Sequence, residues 1–97
     1  MKYEIVIRRK SAEFLNDLDD KSRRIITARL SMLKDDPFPG KGGDKELLKA
    51  PKGRHDEHVY RLHIGRSFTA FYVILDTTVY ITEVMTIEQA HKKYGTL

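Results

Sequence analysis

The order of apolar patterns in the sequence predicts an α+β domain, and three stretches carry that prediction. Residues 59–75, VYRLHIGRSFTAFYVIL, read as two strands folded back on each other across Gly65-Arg66-Ser67. Before them, apolar residues recur at helical spacing through residues 14–33. After them, residues 79–85 form another β-rich run that ends in a helix-capping signal. The resulting order is β-α-α-β-β-β-β with a short terminal helix: a strand and an antiparallel helical hairpin laid on a mostly antiparallel sheet of four to five strands.

Each element has its own warrant. Tyr3-Glu4-Ile5-Val6-Ile7 is β-rich, and Arg8-Arg9-Lys10 closes it. Ser11 is expected to cap a first helix whose apolar stripe is Phe14, Leu15 and Leu18. Asp19-Asp20 can cap a second helix, running from Lys21 to about Lys34, where Ile26, Leu30 and Leu33 recur at i, i+4 and i+7. Pro37 stops it, because the residue before a proline resists the α region. Residues 36–44, DPFPGKGGD, are built of breakers; they lack the spacing of a phosphate-binding loop and read as a connection. Lys45-Glu46-Leu47-Leu48-Lys49 is a short strand, followed by a polar turn over residues 50–57.

In the central hairpin, a three-residue loop sets Ile64 opposite Phe68, Leu62 opposite Ala70 and Tyr60 opposite Tyr72, an apolar face that should be the core. The other face pairs His63 with Thr69 and Arg61 with Phe71, and reads as open, with Phe71, Val73 and Leu75 partly covered by the terminal helix or a partner. Asp76-Thr77-Thr78 turns the chain into the last strand. A two-residue turn there puts Glu83 on the core face, whereas a three-residue turn puts it beside Arg61. Thr86 with Gln89 fits a capping box, and a short basic helix over residues 90–94 stops at Gly95.

The bulk numbers narrow the function classes. Ninety-seven residues, 1–97, make one domain with one modest core. There are no cysteines, which excludes a disulfide framework and a thiolate zinc site. No apolar run reaches a bilayer span and no signal peptide is evident, so a cytoplasmic protein without membrane association is expected. A net charge of +4 mildly favours an acidic or polyanionic partner. His55-Asp56-Glu57-His58 sits in a turn without helical ligand spacing, so no metal site is expected. No cofactor motif is present.

The element order, with VYRLHIGRSFTAFYVI at its centre, resembles the RelE/ParE superfamily of type II toxin–antitoxin toxins. That family joins a Tyr-Arg strand through a Gly-containing turn to an aromatic-Arg-apolar-apolar-Tyr strand. Here the two parts are Tyr60-Arg61-Leu62-His63-Ile64 and Phe68-Thr69-Ala70-Phe71-Tyr72. The resemblance extends to Asp36-Pro37-Phe38 and to Tyr94. It implies a RelE-like fold. It also implies a toxin that cleaves mRNA in the ribosomal A site, silenced by a cognate antitoxin, or a ParE-like toxin that binds gyrase. A toxin fold that has lost activity is a third reading.

Carried over by position, Arg61 and His63 match basic residues of RelE-like nucleases, and Glu46 looks like the glutamate that YoeB-like members use as a base. Thr69 stands where those nucleases usually have arginine, and Ile87 falls at the position of their C-terminal arginine. His91, Lys92 and Tyr94 are the nearest replacements. Metal-free RNA cleavage needs a base for the 2′-hydroxyl, an acid for the leaving 5′-oxygen, and cations at phosphorus. The expected catalytic set is therefore Arg61, His63, His91, Tyr94 and Glu46, with Arg61 and Arg66 holding the phosphate. Lys52, Arg54, Arg66, Lys92 and Lys93 are the expected RNA contacts.

Overall fold

The computed structural model describes residues 2–40, 43–48 and 58–95. Lys52, Arg54 and the His55-Asp56-Glu57 part of the histidine-containing turn lie outside them. The elements are β1 (Glu4–Ile7), α1 (Arg9–Asn16), α2 (Asp20–Ser31) with a 3-10 turn Met32–Lys34, β2 (Lys45–Leu48), β3 (Val59–Ile64), β4 (Phe68–Leu75), β5 (Thr78–Thr86) and α3 (Ile87–Tyr94). The five strands form one sheet in the order β1-β5-β4-β3-β2. β1 runs parallel to β5, and the remaining pairs are antiparallel. The expected α+β architecture is thus present, and no helix among the described residues is long and apolar enough to cross a membrane.

One sheet face is closed by α1 and α2. Leu15, Ile26, Leu30 and Leu33 pack on Leu62, Ile64, Ala70, Tyr72, Val79, Ile81 and Val84, all buried. The Tyr72 hydroxyl, also buried, donates to the carbonyl of Pro37 at 2.7 Å and fixes the loop that follows α2. Its phenol is pushed up by burial.

Ser11 does not cap α1. The helix begins two residues earlier, at Arg9, and Arg8 in the cap position has no side-chain cap bond. Ser11 is instead fully buried, and its hydroxyl donates to the Ile81 carbonyl at 3.2 Å, docking α1 on β5. Asp19 does cap α2, accepting from the Ser22 amide. The hydrogen bonds from Ser22 hold its carboxyl below the ordinary value.

The β3–β4 register is the one the sequence predicts, from Ile64 opposite Phe68 through Tyr60 opposite Tyr72. At the next turn, Leu75 pairs with Thr78, so only Asp76 and Thr77 form the loop. Asp76 takes a positive φ of 54° there. Regular alternation from this turn would put Glu83 in the core. A β-bulge intervenes: Tyr72 pairs with Ile81, but Phe71 pairs with Glu83, leaving Thr82 unmatched. Glu83 therefore lies on the Arg61 face, although the loop is the shorter one.

Candidate functional site

The second face of the sheet is organised by a row of residues that crosses four strands. Glu46 on β2 pairs with Arg61 on β3, Arg61 with Phe71 on β4, and Phe71 with Glu83 on β5. Because alternate residues share a face, His63 and Thr69 lie on this side too, directly opposite each other. The row ends in a carboxylate on each side, and each carboxylate has gathered its own cluster.

The first cluster joins Glu46, Arg61, His63 and Thr69. Glu46 Oε1 lies 2.9 Å from His63 Nε2 and 3.5 Å from Arg61 Nη1. Arg61 Nε donates to Thr69 Oγ1 at 3.1 Å, and the Thr69 hydroxyl donates to the Leu62 carbonyl at 3.2 Å. The reading of this face as open is corrected for its centre. Arg61 is 2 % exposed and Thr69 is fully buried. Arg61 Nη1 is buried without a hydrogen-bond partner among the described residues, its approach to Glu46 being an ion pair only. Glu46 and His63 stay accessible, their side chains 45 % and 36 % exposed.

The second cluster surrounds Glu83. Its Oε2 receives Lys93 Nζ at 2.8 Å and Lys10 Nζ at 3.3 Å, and its Oε1 receives the Tyr94 hydroxyl. Burial pushes the Glu83 carboxyl up, but these three donors outweigh it and hold the group below its ordinary value. Burial, together with the hydrogen bond to Glu83, pushes the Tyr94 phenol up. Its own hydrogen bond to Glu83 raises the Lys93 ammonium. The donors come from α1 and α3, so Glu83 ties both helices to β5.

α3 is the cover between the clusters. Its capping box is formed on both sides, Thr86 Oγ1 accepting from the Gln89 amide and Gln89 Oε1 from the Thr86 amide, each at 3.0 Å. Ala90 packs on Phe71 and Met85 as a small second core. Tyr94 meets Phe71 edge-on, ring centroids 5.3 Å apart. The α3 start is fixed by the Ile87 amide, which donates to Ser67 in the β3–β4 turn at 2.9 Å.

The expected site residues thus fall into groups. Glu46, Arg61 and His63 are brought together, and Glu46, the weakest match in sequence, is their hub. Tyr94 and Lys93 join Glu83 instead. His91 is exposed on α3 and its side chain makes no hydrogen bond or ion pair among the described residues, and the Lys92 side chain reaches Glu88, at 3.9 Å. Arg66 is exposed in the β3–β4 turn. No group of three or more metal-ligating side chains occurs among the described residues.

No protein-family profile and no curated protein matches the chain. Solved structures do. The fold is similar to that in the archaeal RelE–RelB complex from Pyrococcus horikoshii, with a TM-score of 0.71 and 20 % identity over 89 % of this chain and 96 % of that one. The toxin–antitoxin complex RelBE2 of Mycobacterium tuberculosis gives 0.67 at 17 % identity, covering 89 % and 99 %. A mutant of the Escherichia coli toxin RelE in the free state gives 0.58 at 13 % identity, covering 94 % and 90 %. The chain has the RelE toxin fold.

Proposed function

We propose that this chain is the toxin of a type II toxin–antitoxin pair and an endoribonuclease that cleaves mRNA in the ribosomal A site. The observation that carries the reading is the Glu46–His63 pair. An accessible carboxylate and imidazole 2.9 Å apart stand on the sheet of a RelE fold with a guanidinium behind them. A carboxylate and an imidazole side by side supply both proton transfers that metal-free RNA cleavage requires.

In this mechanism Glu46 takes the proton of the 2′-hydroxyl, whose oxygen forms a bond to the adjacent phosphorus. The bond from phosphorus to the 5′-oxygen breaks, and His63 gives that oxygen a proton. The products are a cyclic phosphate and a free 5′-hydroxyl. Arg66, exposed three residues beyond His63, meets the phosphate from the turn. His91, Lys92 and Lys93 on α3 offer a basic approach for the RNA backbone, with Lys52 and Arg54 as further contacts. Tyr94 holds the α3 end of the site through Phe71 and Glu83, and its exposed ring is a surface on which a base can stack. The chemistry needs no cofactor. Two of the similar structures are toxin–antitoxin complexes, which supports a cognate antitoxin as partner.

The test is induction in cells, reading mRNA 5′ ends and DNA supercoiling together. New ends within translated codons, abolished by Glu46→Gln with His63→Ala, are expected. Growth arrest with intact mRNA and altered supercoiling would move the assignment to a gyrase-binding toxin. Absence of arrest would leave a toxin fold without toxin activity.

A further inference from the structure

We infer that Thr69 is a positioning residue of the proposed nuclease and that Arg61 works through Glu46 rather than on the RNA. The inference rests on the nuclease reading for its consequence, and on geometry for its content. The Arg61 side chain is 3 % exposed and its Nη1 is buried, while the Glu46 carboxylate 3.5 Å away is 45 % exposed, so the pair meets solvent through Glu46. A buried Nη1 offers a phosphate no open face, whereas Glu46, the group assigned to accept the 2′ proton, is accessible. Arg61 is thus badly placed to grip substrate and well placed to hold its neighbour.

What aims it is Thr69. A hydroxyl has one proton to give, and here the Leu62 carbonyl takes it at 3.2 Å. The lone pairs of Oγ1 are then free to accept, and Arg61 Nε donates to them at 3.1 Å. Both side chains are buried, so water does not compete for these bonds. Fixing Nε sets the plane of the whole guanidinium, because its nitrogens are coplanar. In that plane Nη1 lies 3.5 Å from Glu46 Oε1. The same oxygen meets His63 Nε2 at 2.9 Å, leaving Oε2 to face the RNA. The chain of contacts runs from the Leu62 carbonyl through Thr69, Arg61 and Glu46 to His63. An arginine at position 69 could not complete it, since arginine accepts no hydrogen bond. The departure from the family pattern therefore belongs to a different way of holding the base.

Thr69→Val and Thr69→Ser separate the roles, because valine keeps the shape and loses the hydroxyl while serine keeps the hydroxyl. Cleavage of mRNA on programmed ribosomes should fall about tenfold or more in kcat for the valine variant, with KM nearly unchanged, and recover in the serine variant. Independently of activity, the Arg61 Nε–H signal in a ¹⁵N spectrum should be sharp and slow to exchange in the parent and the serine variant. In the valine variant, checked as folded by its amide spectrum, it should exchange rapidly. A raised KM with kcat intact would overturn the inference in favour of direct phosphate binding. An unchanged Nε–H signal, or full kcat after its loss, would overturn it as well. If the parent cleaves nothing, the nuclease reading fails, and the role inferred for Thr69 in catalysis falls with it even where the Nε–H contrast shows the anchor to be real.

Discussion

The two faces of the sheet are held by different physics. The α1/α2 face is mostly apolar: Leu62, Ile64, Ala70, Tyr72 and Ile81 meet Leu15, Ile26, Leu30 and Leu33, and shape and area do most of the holding, with the Ser11 and Tyr72 hydroxyls each bonded to a carbonyl. The second face buries Arg61 and Thr69, leaves Glu83 17 % exposed, and among the described residues has a smaller apolar part built on Phe71, Val73, Met85 and Ala90. Apolar contact is insensitive to small changes of direction, whereas a hydrogen-bonded charge is not. One face therefore sets how stable the domain is, and the other sets where a few polar atoms point.

Adjacent residues of β3 give the sharpest contrast. Leu62→Ala removes a fully buried side chain from the first face and should cost about 2–5 kcal/mol, read from the denaturant midpoint. Growth arrest would be lost with the fold. Arg61→Leu, one position away on the second face, should cost about 1–2 kcal/mol or less, because it removes a buried charge and the partner it leaves, Glu46, is 45 % exposed and stays solvated. Its amide spectrum should remain folded while cleavage is lost. A destabilisation as large as that of Leu62→Ala would erase the distinction between the faces.

Glu83 provides the next test. Its carboxyl is held below the ordinary value, so its contribution is present above the unfolded-state pKa and is lost as pH falls through the folded one. Acidification should release α3, followed by faster amide exchange over Ile87–Tyr94, before the sheet opens. Glu83→Gln should show that faster exchange already at neutral pH and lose the acid-dependent step. The smallest effect belongs to Thr86→Ala, which removes half of the capping box and should cost about 0.5–1 kcal/mol in thermal unfolding, confined to α3. Equal protection of α3 in both variants would show that its apolar contacts alone hold it.

The first face was the more legible in sequence. Alternation through Tyr60, Leu62 and Ile64 with a three-residue loop leaves a single register, and the structure has it. Ser11 reads as a cap because Arg8-Arg9-Lys10 hides the true start of α1, and a buried serine and a capping serine look alike in sequence. Arg61 reads as surface because charge alternating with apolar residues is the signature of a solvated face; the partners it meets in its buried position, Thr69 on β4 and Glu46 on β2, are distant in sequence. Glu83 could not be placed because the Thr82 bulge leaves no mark in polarity. The hub role of Glu46 was visible only as a weak resemblance, since its pairing with Arg61 depends on a short strand reached through a long connection. The Glu83–Tyr94–Lys93–Lys10 cluster had one usable signal, a tyrosine and lysine one turn past Ala90 on a capped helix.

The unmatched Thr82 also affects how this chain is compared with others. One extra residue changes the parity of everything after it in β5: a core position in an unbulged strand corresponds here to the next residue along. Gap-free superposition on such a strand would set Glu83 against a core side chain and shift each later position by one. The placement of Ile87 at a C-terminal arginine position crosses that point. Counting along the chain and counting along the sheet give different answers there, and equivalences at the start of α3 have to be assigned in three dimensions.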